Sequence, residues 1–148
     1  MNYIIVDLEA TCWAKKGHSP NEIIEIGAIC FNDQKENLGE FDIFVKPKVH
    51  PILSDFCTEL TSITQEMVDT ADPFPIALTK FKDWITSFED PYLLCSWGFY
   101  DKKQFEKDCL LHELPVDWLD AHISLKHQFA KFKKLRRPMG MKGALKIF

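Results

Sequence analysis

The spacing of apolar and polar residues divides the chain into a strand-rich first part and a second part that alternates helices with strands. Apolar, β-favouring runs predict strands at 2–8, 22–31 and 40–47, and the turn NDQKENLG joins the last two as a hairpin. The run YLLCSW (92–97) predicts a fourth strand, and WLDAHI weakly predicts a fifth.

Helical spacing is clearest at residues 73–88, where apolar side chains recur along one face. Asp72 is placed to cap this helix, and Pro73 suits its first position. The other predicted helical segments are short pieces within 53–71 capped by Ser54 and Thr64, a helix from Tyr100 to His112, one at about 123–134, and one beginning in GMKGALKIF.

This order of elements predicts an α/β fold, because antiparallel strands followed by alternating helices and strands form a mixed sheet covered by helices. We expect five strands, with the first strand central, the 92–97 strand beside it and the 73–88 helix packed on the sheet. The length of 148 residues predicts one domain that spans residues 1–148.

Composition narrows the class of protein. The chain is 46% hydrophobic and 27% charged, which is ordinary for a globular protein, and it has no apolar run long enough to cross a membrane. Its five cysteines lack CxxC spacing, and no secretory signal precedes the first strand. We therefore expect reduced thiols, no membrane partner and a cytoplasmic location.

The net charge of -4 hides an asymmetry along the chain. Residues 1–120 carry 10 basic and 22 acidic residues, whereas residues 121–148 carry 8 basic residues and no acidic residue. The basic part is either a solvated helix face or a contact surface for a phosphate backbone.

Two carboxylates lie at the end of the first predicted strand. Asp7 and Glu9 are two residues apart, so in a strand they project from the same face. Like charges this close favour a cation between them, and hard divalent ions prefer carboxylate oxygens. The spacing alone is weak, since it recurs in Glu40-Phe-Asp42 and Glu106-Lys-Asp108.

A second group of candidate residues occurs in SWGFYD (96–101). Asp101 falls in the first turn of a predicted helix, where it either complements the helix dipole or, if the fourth strand lies beside the first, faces Asp7 and Glu9. Trp97 is either a stacking surface for a base or a buried aromatic residue at the end of the sheet.

The motifs DLEATCW, NEIIEIGAI, HPILSDFCTELTSIT, SWGFYD and RRPMGMKGALKIF occur in this order. Together they resemble the DEDDh 3′–5′ exonucleases of the DnaQ-like, ribonuclease H-fold superfamily, and within it the Eri-type and KapD-like branch. The resemblance implies a ribonuclease H-like fold and a two-metal-ion exonuclease that uses Mg²⁺ or Mn²⁺. The implied substrate is the 3′ end of single-stranded RNA, with DNA as an option, and the implied product is a nucleoside 5′-monophosphate.

The same resemblance implies roles for individual residues. Asp7, Glu9 and Asp101 would be the catalytic metal ligands. The backbone around Ala10 and Thr11 would hold the terminal nucleotide, and Trp97 would lie against its base.

One part of the family pattern is missing. DEDDh enzymes complete the site with a histidine base and a fourth acid, spaced H-x4-D on a C-terminal helix, but no acidic residue follows Asp120. His50…Asp55 comes too early in the chain, and His112…Asp117 spans a proline. We expect either a longer natural protein that supplies this segment, which we favour, or a degenerate member of the family.

Two alternatives to an exonuclease stay open at this point. One is a non-catalytic module on the same fold that binds nucleic acid or protein. The other is a fragment of a different ribonuclease H-like nuclease or transposase. The sequence leaves the oligomeric state open.

Overall fold

A six-stranded mixed sheet in the order β4-β3-β2-β1-β5-β6 organises the computed structural model, which describes residues 1–148. The strands are β1 (Asn2–Ala10), β2 (Ile23–Asn32), β3 (Asn37–Lys46), β4 (Asp72–Pro73), β5 (Tyr92–Ser96) and β6 (His122–Ser124). Strands β1, β2 and β3 pair antiparallel, whereas the β1–β5, β5–β6 and β3–β4 pairs are parallel. The predicted α/β class and the neighbouring positions of the first and fourth predicted strands are confirmed.

Six helices connect or flank these strands. They are α1 (Asp55–Thr61), α2 (Gln65–Asp69), α3 (Phe74–Thr86), α4 (Tyr100–Leu111), α5 (Leu125–Phe132) and α6 (Met141–Ile147). The caps predicted for the first two helices are confirmed, because the Ser54 and Thr64 hydroxyls accept hydrogen bonds from the backbone N–H groups of Cys57 and Met67. No helix is long and apolar enough to cross a membrane.

The strand count was predicted as five, and the sixth strand is the two-residue β4, which pairs with Val45 and Lys46 at the end of β3. A strand this short shows no alternation in sequence. Asp72 therefore lies in a strand and does not cap α3; its carboxylate forms an ion pair with Lys80 instead. The weakly predicted fifth strand begins later than expected, because Asp117–Leu119 forms a 3₁₀ turn.

Alternation along β1 determines which face of the sheet is buried. The even-numbered residues from Asn2 to Ala10 are all buried, while Asp7 is exposed and Glu9 is partly exposed. The buried side faces α3 and α4, whose Phe81 and Phe105 rings stack with centroids 5.7 Å apart. The acidic side chains therefore project from the face opposite the main core.

A second, smaller core fixes the segment between β3 and β4. Ile24 of β2 packs against Leu53, Cys57, Ile63 and Val68, which anchors α1 and α2 on the sheet. All five cysteines are free in the structure.

Replacing Phe81 tests this account of the main core. Phe81 has no exposed surface and contacts Phe41 and Trp118 as well as Phe105, so Phe81→Ala should lower the free energy of unfolding by about 3–5 kcal/mol. Phe132→Ala is the control, because that ring is 78% exposed, and it should change the free energy by less than about 0.5 kcal/mol. Urea unfolding followed by circular dichroism measures both; equal losses would contradict this core.

Candidate active site

The site begins where β5 diverges from β1. The two strands pair only from Asn2 to Ile5 of β1, so the later part of β1 has a sheet partner on one side alone. The backbone N–H of Leu8 is left free on that side and donates to Asp101 Oδ1 at 3.0 Å. An acid on α4 thus replaces a missing strand partner, and this bond brings Asp101 to the end of β1.

Asp101 is one of the few buried charged side chains, at 7% exposure, and lies in the first turn of α4. Burial raises the pKa of its carboxyl, and the nearby Asp7 raises it further, while hydrogen bonds from Leu8 N–H, its own N–H and Ser96 oppose the rise. The carboxylate is therefore held in one orientation by the backbone and is sensitive to the charge of Asp7.

Asp7 and Glu9 project beside it from the same face of β1, as their spacing predicts. Burial raises the pKa of the Glu9 carboxyl first, and repulsion from Asp7 and then Asp101 adds to this effect. The structure thus brings the three predicted carboxylates into one electrostatic environment. Their role as metal ligands stays a prediction.

Two further acids share this environment and were not predicted. Glu25 lies opposite Glu9 in the β1–β2 register, and Asp42 of β3 lies opposite Gly27. Burial raises the pKa of Glu25 to about 7, with hydrogen bonding and repulsion from Asp42 as the next causes. Glu40 and Asp42, whose spacing alone did not indicate a site, both line the same cleft.

This acidic cleft has a volume of about 420 Å³ and is open to solvent. Asp7, Glu9, Glu25, Glu40 and Asp42 line it. Asp7/Glu9 and Glu40/Asp42 are each spaced two residues apart in sequence, whereas Glu25 has no acid at that spacing. Only the pairing register shows that these acids lie together.

The carboxylates suit a hard divalent cation by their chemistry, since all are oxygen donors that repel one another. In the structure, however, no three His, Cys, Asp or Glu side chains are arranged as a ready metal-binding group. One oxygen of Asp101 is also engaged by Leu8 N–H. The donor set fits Mg²⁺ or Mn²⁺, and the side chains do not form a closed ligand shell.

Ala10 and Thr11, predicted to hold a terminal nucleotide, are both buried. The Thr11 backbone N–H donates to Glu22 O, and its hydroxyl accepts from Glu22 N–H at 2.9 Å. An irregularity in the strand register falls between Glu9 and Ala10, so the strand bends where the acids end. These contacts fix the backbone beside the carboxylates, and the nucleotide role stays a prediction.

Trp97 directly follows β5, half-buried, with its ring 6.1 Å from the Phe129 ring. It lines an apolar groove of about 280 Å³ with Leu145 of α6 and with Phe148, which follows that helix. Its Nε1–H is buried and has no hydrogen-bond partner. The Trp97 ring is therefore partly packed and partly accessible. Its role as a stacking surface for a base stays a prediction, beside the alternative of a buried aromatic residue at the end of the sheet.

The two histidines with H-x4-D spacing lie away from the carboxylates. His50 bonds through Nε2 to the Ser19 carbonyl oxygen at 2.8 Å. His112 caps the C-terminal end of α4, whereas Asp101 lies at the N-terminal end of that helix. That neither histidine acts as the base stays a prediction.

A different histidine lies closer to the site. His122 Nε2 is 2.8 Å from the Ser96 hydroxyl, and His122 and Asp101 line one small cavity of about 10 Å³. Burial lowers the pKa of His122. No histidine forms a hydrogen bond with Asp7, Glu9 or Asp101.

A comparison with known protein families shows to which family this chain belongs. A sequence model of the RNase T exonuclease family matches residues 4–142. The chain belongs to this family.

Two proteins named as exoribonucleases are similar in sequence to nearly all of this chain. ERI1 exoribonuclease 2 of Xenopus laevis is 36% identical over 168 residues, which cover 96% of this chain and 24% of that protein. Human 3'-5' exoribonuclease 1 is 34% identical over 143 residues, covering 90% of this chain and 40% of the relative. The chain thus spans less than half the length of these relatives.

Solved structures of the family confirm the ribonuclease H-like fold. The nuclease domain of 3'hExo, a DEDDh family member whose structure was determined bound to rAMP, superimposes with a TM-score of 0.82 and 34% identity, covering 90% of this chain and 71% of that chain. Cell-death related nuclease 4 (CRN-4) has a TM-score of 0.83 at 21% identity, with coverage of 95% and 50%, and supports the fold alone.

A buried polar network supports the site in this exonuclease domain. Glu22 and Asp108 are each 1% exposed. The Glu22 carboxylate accepts from the backbone N–H groups of residues 48–50, and Asp108 Oδ1 accepts from Ile23 N–H at 3.0 Å. Asp108 Oδ2 accepts from Gln104 Nε2 at 2.7 Å. The network ties α4 and the 48–50 loop to the start of β2, beside the acidic cleft.

Asp108 gives the domain a pH-dependent stability. Burial raises the pKa of this carboxyl from 3.8 to about 6, so its contribution to folding is full below the ordinary value and is lost as the pH rises through about 6. Relative to Asp108→Asn, which does not titrate there, the wild-type unfolding free energy should fall by on the order of 2–3 kcal/mol between about pH 4 and pH 7. Urea unfolding at several pH values measures this, and a constant difference would refute it.

Proposed function

We propose that this domain is a 3′–5′ exonuclease that acts on single-stranded RNA and releases nucleoside 5′-monophosphates. The observation that carries the proposal is the meeting of Asp7, Glu9 and Asp101 at the end of β1, in a chain that belongs to an exonuclease family. The relatives named as exoribonucleases favour RNA over DNA as the substrate.

Asp7, Glu9 and Asp101 would hold two Mg²⁺ or Mn²⁺ ions. When bound, such ions supply a water nucleophile at neutral pH and stabilise the attacking and leaving oxygens of a phosphoryl displacement. Burial, and after it the charge of neighbouring acids, raises the pKa values of Glu9 and Glu25, and a bound cation would relieve the part that is due to repulsion.

The protein's own contribution is orientation. Leu8 N–H holds one oxygen of Asp101 and so fixes this carboxylate at the end of β1. Thr11 and Glu22 fix the backbone at the end of β1 through two hydrogen bonds, so a terminal nucleotide bound there would meet a rigid surface. Trp97 presents part of its ring to an apolar groove, where a base can stack.

A second function is a non-catalytic RNA-binding module on this fold. It is favoured by one observation, namely that no histidine bonds to the three carboxylates. Loss of a general base lowers a rate by about 10²–10⁴-fold, so we expect the 148-residue chain to trim RNA slowly. An exonuclease domain should bind RNA and trim it, although slowly, whereas a non-catalytic module should bind RNA without trimming it.

Metal binding tests the carboxylate site directly. Calorimetry with Mn²⁺ should detect binding that Asp7→Asn and Asp101→Asn each weaken strongly, because each removes a charged ligand. Glu59→Gln is the matched control, since Glu59 is exposed on α1 outside the acidic cleft, and it should bind as the wild type does. If Asp7→Asn binds Mn²⁺ as tightly as the wild type, these acids are not the site.

A ladder assay tests the activity. Single-stranded RNA labelled at its 5′ end should shorten one nucleotide at a time from the 3′ end, only with Mg²⁺ or Mn²⁺, and not when the strand ends in a 3′-phosphate. Asp101→Asn should abolish the shortening and preserve most RNA binding. Internal cleavage, or shortening that persists in Asp101→Asn, would contradict an exonuclease with this site.

A further inference from the structure

A second concave surface lies at the same end of the sheet as the acidic cleft. It has a volume of about 450 Å³, and four prolines together with Lys46, Lys48 and His112 form its wall. We call it the lysine pocket. Strands β1 and β3 both run antiparallel to β2, so Lys46 at the end of β3 lies at the sheet end where β1 presents its acids.

The lysine pocket concentrates positive charge on the acidic part of the chain. Lys46 and Lys48 are both exposed, and neither of them forms an ion pair. The nearest buried acid, Glu22, directs its oxygens to the backbone N–H groups of residues 48–50. Lys48 and His112 line the pocket together, and burial followed by the charge of Lys48 lowers the pKa of His112.

We infer that the lysine pocket binds a backbone phosphate of the nucleic acid strand, upstream of the 3′ end held at Asp7 and Glu9. This inference rests on the proposed function, and adds to it a contact that depends on strand length. Two lysine ammonium groups and a ring N–H are suitable donors for a phosphate.

Fixed contacts join the lysine pocket to the acidic site. The Thr11 hydroxyl accepts from Glu22 N–H, and the Glu22 carboxylate accepts from Lys48 N–H. The residues beside the carboxylates and the loop with Lys48 are therefore connected through one buried side chain. A nucleic acid strand bound at the acidic site and at the lysine pocket would therefore contact two surfaces whose separation is fixed.

An aromatic cluster adjoins this connection. The Trp13 ring lies 4.9 Å from the His18 ring, stacked, and 4.9 Å from the His50 ring, edge-on. Trp13 is two residues after Thr11, and His50 is two residues after Lys48. Aromatic rings next to cationic side chains are typical of surfaces that bind single strands, because bases stack where phosphates are paired.

The length of α4 sets the strand length required. Asp101 lies in its first turn and His112 caps its other end, so a rise of 1.5 Å per residue separates them by about 16 Å. At a stacked rise of 3.4 Å per nucleotide this is about five nucleotides, and fewer in an extended strand. An RNA of about three nucleotides held by its stacked 3′ end would not reach the lysine pocket.

The test is fluorescence anisotropy with 5′-labelled oligouridylates of about ten and about three nucleotides, with Ca²⁺ in place of Mg²⁺ or Mn²⁺ so that the carboxylates carry a cation during binding. Lys46→Gln and Lys48→Gln should each weaken binding of the longer RNA about threefold and lower its salt slope by about 0.7, since each removes one phosphate contact. Binding of the shorter RNA should stay unchanged.

Lys35→Gln is the matched control. Lys35 is an exposed lysine without an ion pair in the β2–β3 turn, at the opposite end of the sheet, so the variant makes the same change in net charge. It should bind both RNAs as the wild type does. Thermal unfolding should show that all three variants are folded.

The outcomes separate this inference from the proposed function. If the wild type binds the longer RNA and both lysine-pocket variants bind it equally well, the inference is wrong and the proposed function stands. An equal loss in Lys35→Gln would also overturn it, because the effect would then be one of net charge. If the wild type binds neither RNA, the proposed function fails together with the inference.

Discussion

The hydrogen bond from Leu8 N–H to Asp101 is the contact on which the geometry of the site depends. It exists because β5 leaves β1 after Ile5, so that a backbone donor in the middle of a sheet needs another acceptor. Two turns further along α4, Asp108 repeats the arrangement with Ile23 N–H. Both acids lie on the buried face of one helix, and each replaces a strand partner. The helix is thus fixed across the end of the sheet, with its first acid next to those of β1.

This arrangement also explains the distribution of charge. Carboxylates from β1, β2, β3 and α4 lie near one another, and burial together with their mutual repulsion raises the pKa values of Glu9 and Glu25. Basic residues lie on both sides: the C-terminal part, whose α5 packs on β5 and β6, and the lysine pocket beyond β3. An acidic centre between basic flanks suits a domain that concentrates divalent cations and still attracts a polyanion.

The sequence predicted much of this because its strongest patterns are local. Alternation in β1, the apolar face of α3 and the caps Ser54 and Thr64 depend on neighbours in the chain, and each is found as expected. What it missed depends on partners distant in sequence. The two-residue β4 exists only through pairing with β3, and Asp42 joins the acidic cleft only through the register of β2 and β3. Buried Glu22 and Asp108 likewise have acceptor roles that no local pattern indicates.

Titration of the Glu9 carboxyl by NMR, in the wild type and in Asp101→Asn, tests most directly whether the three carboxylates form one site. The account predicts that the Glu9 pKa is raised in the wild type and falls in Asp101→Asn, because a repelling charge from another element is removed. Glu106→Gln, on the outer part of the same helix, should leave the Glu9 pKa unchanged. A Glu9 pKa that is the same in all three proteins would contradict the convergence of these acids.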